Sequence, residues 1–440
     1  MARNVQRRDI LKGAGAVGIA GLAGCAGGDG GDGGDGGDGG DGGDGDGGDM
    51  ETTAGGDGGM EGRTINLGIL MGVTGGLAQL GPEIRQGAEL AVSHVNDADT
   101  AFDVDVQFED TGTDPNQGIS GAEALVNAGY PMICGALSSG VTIQVAQNVA
   151  IPNGAVLCSP ASTSPEITDL QDNDFVYRTP PIDSLQGQVL AQIAAEREGA
   201  STASTIYVNN SYGQLLSEAF SSSFADSYDG EVLAQVPYDQ GESSYTSVVQ
   251  QALADDPDLL LLVAYPEGGT PILRDFYSEF GGDIPVLVTD GLQDGTLPGK
   301  VGNDLANVKG TAPLPDGPGN DFFQSEFQSA YDAEPTVSFT GYAYDAAAVL
   351  MLANAAAGEN DGETVRDQMR NVANPEGTTV TPEQLPEAIE MAAAGEEIEY
   401  QGASSAVDFD DAGDMQTVSY EYFGFTGDGL ETIEEIQFSG

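Results

Sequence analysis

Ile65-Asn66-Leu67-Gly68-Ile69-Leu70 is a short, nearly unbroken apolar run, and a helical pattern follows it closely. From Pro82 to Asn96, the residues Ile84, Ala88, Ala91, Val92 and Val95 fall on one helical stripe. A run without polar alternation suits a strand covered on both faces, and the helix beside it supplies one of the covers. The unit then repeats. Val104, Val106 and Phe108 alternate as a second strand, and Met132–Ala136 and Ala155–Ser159 give two more. Helical stretches lie near Ser120–Ala128 and Val141–Ala150.

The rhythm restarts with a helix at Leu185–Glu198, a strand at Thr205–Val208 and a helix at Gly213–Ser227 that turns Leu216, Ala219, Phe220 and Phe224 inward. Glu231–Val236, Leu259–Val263 and Pro285–Thr289 are predicted strands, separated by helices at Tyr245–Ala254 and Thr270–Phe280. Two successive series predict an α/β protein of two lobes, each a mainly parallel sheet flanked by helices. A third block, Asp321–Asp332, Ala343–Ala357 and Gly362–Val372, is helical without a sheet of its own. It packs most simply on the first lobe, so the chain crosses between lobes several times and forms a hinge.

Arg7-Arg8-Asp9-Ile10-Leu11-Lys12 precedes a weakly apolar stretch, Gly13 to Gly24, that ends in Leu22-Ala23-Gly24-Cys25. A twin-arginine pair before a Gly/Ala-rich run reads as an export signal, and Leu-Ala-Gly-Cys reads as a lipobox whose cleavage leaves Cys25 to carry a lipid. The run is about half the ~20 apolar residues of a membrane-spanning helix. From Ala26 to about Met60 the chain is almost wholly Gly and Asp. With nothing apolar to bury, this segment is expected to be a disordered leash with a reach of roughly 30–35 Å. Calcium-binding β-roll turns need an apolar residue in each repeat, and this segment has none.

Thirteen Lys+Arg residues against 71 Asp+Glu give a formal charge of −58. Phosphate binding needs a basic surface, so nucleic acid is excluded as a partner. Such a surface repels itself in dilute buffer, whereas molar salt shortens the Debye length to about 3 Å, so a halophilic source is expected. Beyond Cys25, Cys134 and Cys158 lie in strand-like runs, as buried thiols or as a disulfide. The one histidine, His94, flanks a helix stripe with no Cys, His or Ser motif beside it. Gly72-Val73-Thr74-Gly75-Gly76 lacks the spacing of a dinucleotide loop. No nucleophile elbow, phosphate loop or metal-ligand cluster is present, so neither catalysis nor a cofactor nor a metal is expected.

Polar loops follow the strands instead. Ser138-Ser139-Gly140 leads from the third strand into a helix. Ser159-Pro160-Ala161-Ser162-Thr163-Ser164-Pro165-Glu166 follows the fourth, where Thr163 and Glu166 have the spacing of a capping box. Hydroxyls and backbone N–H groups at helix starts suit a small carboxylate, and open α/β sheets bind ligands at these strand ends.

Ile69-Leu70-Met71-Gly72-Val73-Thr74-Gly75, with Gly81-Pro82-Glu83-Ile84-Arg85-Gln86-Gly87-Ala88, resembles the opening of the leucine/isoleucine/valine-binding proteins. Those are the extracellular receptors of ABC importers, with a type I periplasmic-binding fold. Glu109-Asp110-Thr111-Gly112-Thr113-Asp114-Pro115, Tyr177-Arg178-Thr179-Pro180, Tyr212-Gly213, Ala264-Tyr265-Pro266-Glu267, Thr289-Asp290-Gly291-Leu292 and Ala343-Tyr344-Asp345-Ala346 continue the likeness in order. The resemblance implies that Ser139, or Ser138 beside it, joins Ala161 and Thr163 in holding an α-carboxylate. It implies that Asp290 accepts the α-ammonium and that Tyr212, Tyr265 and Phe339 form aromatic walls. Leu80 stands where a ring is frequent in the family, a departure that bears on ligand identity.

The resulting expectation is a lipid-anchored solute receptor on the outer face of the cell membrane, a monomer without catalytic activity. Its parts are a signal peptide, 1–25; a leash, 26–62; a first lobe, 63–181 plus 312–400; and a second lobe, 182–311 plus 401–440. The lobes close on an aliphatic amino acid and present it to an ABC permease. A receptor for amides, urea or organic acids, and a sensory receptor feeding a chemotaxis transducer, are the alternatives.

Overall fold

The computed structural model describes residues 62–374, 376–415, 418–426 and 429–438. The twin-arginine pair, Cys25 and nearly all of the Gly/Asp segment lie outside the described residues. The chain builds two sheets in succession. Strands β1 (Thr64–Met71), β2 (Asp103–Asp110), β3 (Met132–Gly135), β4 (Val156–Ser159) and β5 (Val176–Arg178) form a parallel sheet of order β2-β1-β3-β4-β5. Strands β6 (Thr202–Val208), β7 (Glu231–Tyr238), β8 (Leu259–Val263), β9 (Val286–Val288) and β10 (Val308–Pro313) begin a second sheet. A small parallel pair, β11 (Thr378–Val380) and β12 (Ile398–Tyr400), follows. The chain then returns through β13 (Val418–Thr426) and β14 (Gly429–Phe438) to complete the second sheet, of order β14-β13-β10-β9-β8-β6-β7. Among the described strands of the second sheet, only the pairings of β13 are antiparallel.

Apolar runs became the covered strands. Ile65, Leu67, Ile69, Leu70 and Met71 of β1 and all of Leu259–Val263 are fully buried. Edge strand β2 alternates at its start, with Val104 inward. Helix Phe339–Ala357, from the third predicted block, is buried from Phe339 to Ala355 and packs along helix Gly81–Asn96. Their approach is closest at Gly87, where an added Cβ would sit 2.0 Å from the Thr340 carbonyl oxygen. Alanine there would force the helices apart.

Several elements escaped the sequence reading. β5 and β9 are three-residue strands, the latter shorter than expected, and β10 carries Lys309, Gly310 and Thr311 instead of an apolar run. The β13–β14 hairpin interleaves Tyr420, Tyr422 and Phe423 with polar residues. The third block is followed by a small β-pair. Residues 402–414, expected in the second lobe, make their buried hydrogen bonds to first-sheet elements. Ala403 N–H, Ser404 N–H and Ser404 Oγ all donate to Asp345 in helix Phe339–Ala357, and Asp414 pairs with Arg178 at the end of β5.

His94 is a packing residue. Its Nδ1 lies 2.7 Å from the Tyr344 hydroxyl, its ring tilts against Phe322, and burial holds its pKa below the usual value. Cys134 and Cys158 face each other in register on β3 and β4 as buried free thiols, with burial pushing both pKa values up.

Candidate functional site

In a parallel sheet the loops at the carboxyl ends of the strands collect on one side. Here those loops come from both sheets. From the first sheet, β1 leads to a 3₁₀ turn at Gly75–Leu77 and then Leu80; β3 leads to Ser138 and Ser139; β4 leads to Ala161 and Thr163. From the second, β6 leads to Tyr212, β8 to Tyr265 and β9 to Asp290. Every one of these site residues except Ala161 is buried. Most of them close around a small cavity of about 20 Å³.

The cavity has two characters. Leu77, Leu80, Ile84, Leu137 and Phe339 supply apolar lining, and Ser139, Tyr212, Tyr265 and Asp290 are lining residues that carry polar groups. The ring missing at Leu80 is therefore replaced by an aliphatic surface. Ala161 lines the cavity too, but Ser138 and Thr163 stand just behind the wall. A roomier groove of about 630 Å³ runs beside Gln368, Arg370 and Glu396, but its charged side chains all reach solvent.

Tyr212 and Tyr265 stack with ring planes 2° apart and centroids 5.5 Å apart, forming a flat wall. The Tyr265 hydroxyl crosses to Ser138 Oγ at 3.1 Å and takes a long bond from Asn210 Nδ2 at 3.4 Å. Ser138 begins helix Ser139–Val145 without capping it by its side chain, which leaves the hydroxyl to bridge the loops. Lys300 makes a second bridge, binding Asp294 at 2.6 Å and touching Gln79 of the first-sheet loop.

Ser139 Oγ accepts the backbone N–H groups of Thr163 at 3.2 Å and Ser164 at 3.3 Å. Both of its lone pairs are thereby used, leaving the O–H to donate into the cavity. The Thr163 N–H is thus engaged by Ser139. Ala161 N–H makes only a long bond to Ser159 Oγ, at 3.4 Å. The Thr163–Glu166 capping box does not form, because no helix starts there. Arg178 instead takes the Ser164 carbonyl at 2.7 Å, and Ser164 Oγ takes Glu166 N–H at 3.3 Å.

Asp290 opens a 3₁₀ turn directly after β9 and is 5 % exposed. Its Oδ1 accepts Gln186 Nε2 at 2.9 Å and its Oδ2 accepts the Tyr212 hydroxyl at 3.3 Å; Thr289 Oγ1 lies 2.7 Å from that same hydroxyl. Burial pushes its carboxyl up to about 6, and Gln186, Tyr212 and the backbone N–H groups of Asp290 and Gly291 hold it from rising further. Burial likewise raises the Tyr212 hydroxyl, and pushes Tyr265 up to about 12, so both stay neutral.

Asp183 was missed. It sits in the first turn of helix Asp183–Gln192, fully buried, and burial and the nearby Asp290 push its pKa well up. Among the described residues neither of its carboxylate oxygens has a well-formed hydrogen bond, although the Thr163 hydroxyl lies close enough to favour the ionised form. The available signal was an acidic residue after Thr179-Pro180-Pro181-Ile182, where an acid in a first turn reads as ordinary dipole compensation.

Among the described residues no group of His, Cys, Asp and Glu could hold a metal ion, and no helix is long and apolar enough to cross a membrane.

Comparison with known proteins agrees with this geometry. The chain is 28 % identical over 393 residues to the "Chemotactic signal transduction system substrate-binding protein BasB" of Halobacterium salinarum, covering 86 % of this chain and 90 % of that one. It is 29 % identical over 319 residues to "Leu/Ile/Val-binding protein homolog 1" of Brucella abortus, covering 71 % and 84 %. Its fold matches the leucine-binding protein LivK of Thermotoga maritima with a TM-score of 0.72, at 21 % identity over 84 % of this chain and 98 % of that one. It matches LivJ of Streptococcus pneumoniae in complex with isoleucine with a TM-score of 0.70, at 20 % identity over 86 % and 100 %. These relatives are solute-binding proteins and not enzymes. Residues 64–385 match the family model described as periplasmic binding protein, so the chain belongs to the periplasmic binding protein family and carries its type I, two-sheet fold.

Proposed function

We propose that this protein is the extracellular solute-binding component of an ABC importer and takes an aliphatic α-amino acid between its lobes. The observation that carries the reading is the composition of the cavity lining. Asp290 is a buried carboxylate with two neutral donors and a face on the cavity, Ser139 presents an O–H, and five apolar side chains line the rest. An ammonium, a carboxylate and an aliphatic side chain satisfy these three surfaces together. A buried carboxylate facing an organic acid would instead add like-charge repulsion.

The lobes we propose are residues 63–181 plus 312–400 and residues 182–311 plus 401–440, with 402–414 riding on the first. Closure forms the Ser138–Tyr265 and Lys300–Gln79 bridges. Calorimetry against leucine, isoleucine, valine, their amides and their deaminated acids tests the reading. Micromolar or tighter binding confined to the amino acids is expected, and preference for a ligand without an amine would sink it. Ser139→Ala should weaken binding by about 1–3 kcal/mol, because it removes the donor and also leaves two N–H groups unpaired.

A sensory role is the second reading, favoured by the name of the Halobacterium relative. Pull-down of a permease against pull-down of a transducer separates the two. The N-terminal motif supports export and a lipid anchor at Cys25, with the monomer held to the outer membrane face. The charge of −58 supports salt adaptation. The unfolding temperature should rise steeply with KCl through the molar range, and a flat response would remove that proposal.

A further inference from the structure

Helix Asp183–Gln192 begins right after the crossing from β5 toward the second sheet and carries Asp183 and Gln186 one turn apart. Gln186 is 1 % exposed and its Nε2 reaches three acceptors: Asp290 Oδ1 at 2.9 Å, the Thr311 carbonyl at 3.1 Å and Thr311 Oγ1 at 3.2 Å. A backbone carbonyl only accepts, so the amide nitrogen must be the atom turned toward Thr311 and Asp290. β10 thereby fixes the Gln186 amide, and the amide fixes Asp290.

Asp183 and Asp290 are both buried, and Asp290 lies near enough to disfavour the charge on Asp183. Two carboxylates in that situation do not ionise together; their surroundings decide which keeps the proton. The other ionisable groups around the pair are Tyr212 on helix Ser211–Tyr228, Tyr265 at the end of β8, Tyr420 on β13, and Arg178 on β5. The tyrosines are neutral, and Arg178 is engaged by Asp414. Asp290 is served by Gln186, by Tyr212 and by the backbone N–H groups of Asp290 and Gly291, whereas the Thr163 hydroxyl alone favours ionised Asp183, and Gln186 is the first of the donors to Asp290.

We infer that Gln186 is a positioning residue that assigns the single negative charge of the Asp183–Asp290 pair to Asp290 and leaves the proton on Asp183. The role rests on reading Asp290 as the acceptor of a ligand's ammonium. It makes selection of an amine-bearing ligand a property of a residue that never touches the ligand.

Carboxyl-carbon NMR of ¹³C-aspartate-labelled protein tests this without any ligand, the Asp290 resonance being identified by its absence in Asp290→Asn. It should titrate near 6 in the native chain. Gln186→Met, of similar length but without a donor, should raise that midpoint by about one to two pH units. Gln186→Glu should raise it as well, by setting a third carboxyl group against the pair. An unmoved midpoint in these variants, with native circular dichroism, overturns the inference. Binding of L-leucine and L-isoleucine is measured in parallel, and its pH midpoint should move with the carbon midpoint. Full binding by Asp290→Asn would instead overturn the ammonium reading, leaving the NMR result to judge Gln186 alone.

Discussion

Asp290→Ala should weaken binding of an aliphatic amino acid by about 2–5 kcal/mol, the range for removing one partner of a buried, hydrogen-bonded charge pair. Closure would leave the ammonium without a counter-charge in an apolar site, and the transfer cost of an unpaired buried charge is what the measurement reads. The same carboxylate should cost the fold stability. Its pKa is raised from 3.8 to about 6, so its favourable contribution is fully present below 3.8 and is lost as pH rises through about 6. Asp290→Asn, which keeps the shape, should therefore raise the unfolding free energy at pH 7 by at most about 3 kcal/mol while binding is lost. Ligand affinity runs the other way, falling as pH drops below about 6 because the ammonium needs the ionised acid. Calorimetry and thermal unfolding across pH 4–8 check both slopes, and equal affinity at the two ends would show that Asp290 does not face the ammonium.

Why Asp290 was legible while Asp183 and Gln186 were not follows from where each gets its role. Asp290, Tyr265 and Ser139 each come soon after an apolar strand, and the geometry of a parallel sheet carries such residues to the ligand side. That is local information. Gln186 is one polar residue in a helix, and its meaning comes from β9 and β10, which bring Asp290 and Thr311 to it from 104 and 125 residues away. Thr163 and Glu166 show the opposite failure. Their spacing is a valid helix-start signal, but Arg178 holds the Ser164 carbonyl and the segment stays a loop. A tertiary charge outweighs a local cap worth about 1 kcal/mol. The β13–β14 hairpin was missed because its apolar residues are Tyr and Phe interleaved with Ser and Glu, a pattern that declares a half-covered surface but not which sheet covers it.

Arg178 also marks the change with the largest expected effect on stability, Asp414→Ala. Arg178 is fully buried, and its Nε meets Asp414 Oδ1 at 2.5 Å across 236 residues of sequence. Thr168 Oγ1 stands between the two, accepting from Arg178 Nη2 at 2.6 Å and donating to Asp414 Oδ2 at 2.7 Å. Removing the aspartate strands a guanidinium out of reach of water, and a buried pair broken on one side typically costs about 3–5 kcal/mol. Replacing both ends with apolar residues, Arg178→Met with Asp414→Leu, should cost much less, because no charge is then left buried. Denaturant unfolding of the two singles and the double completes the cycle, and an additive double would show that the ions do not depend on each other. The double variant should nevertheless bind ligand more weakly than its stability implies. Arg178 Nη1 holds the Ser164 carbonyl, and Ser164 and Thr163 present their N–H groups to Ser139. Loss of the guanidinium frees that loop and, with it, the hydroxyl proposed to meet the carboxylate, so a double variant with native stability and native affinity would place Arg178 outside the chain of support for the site.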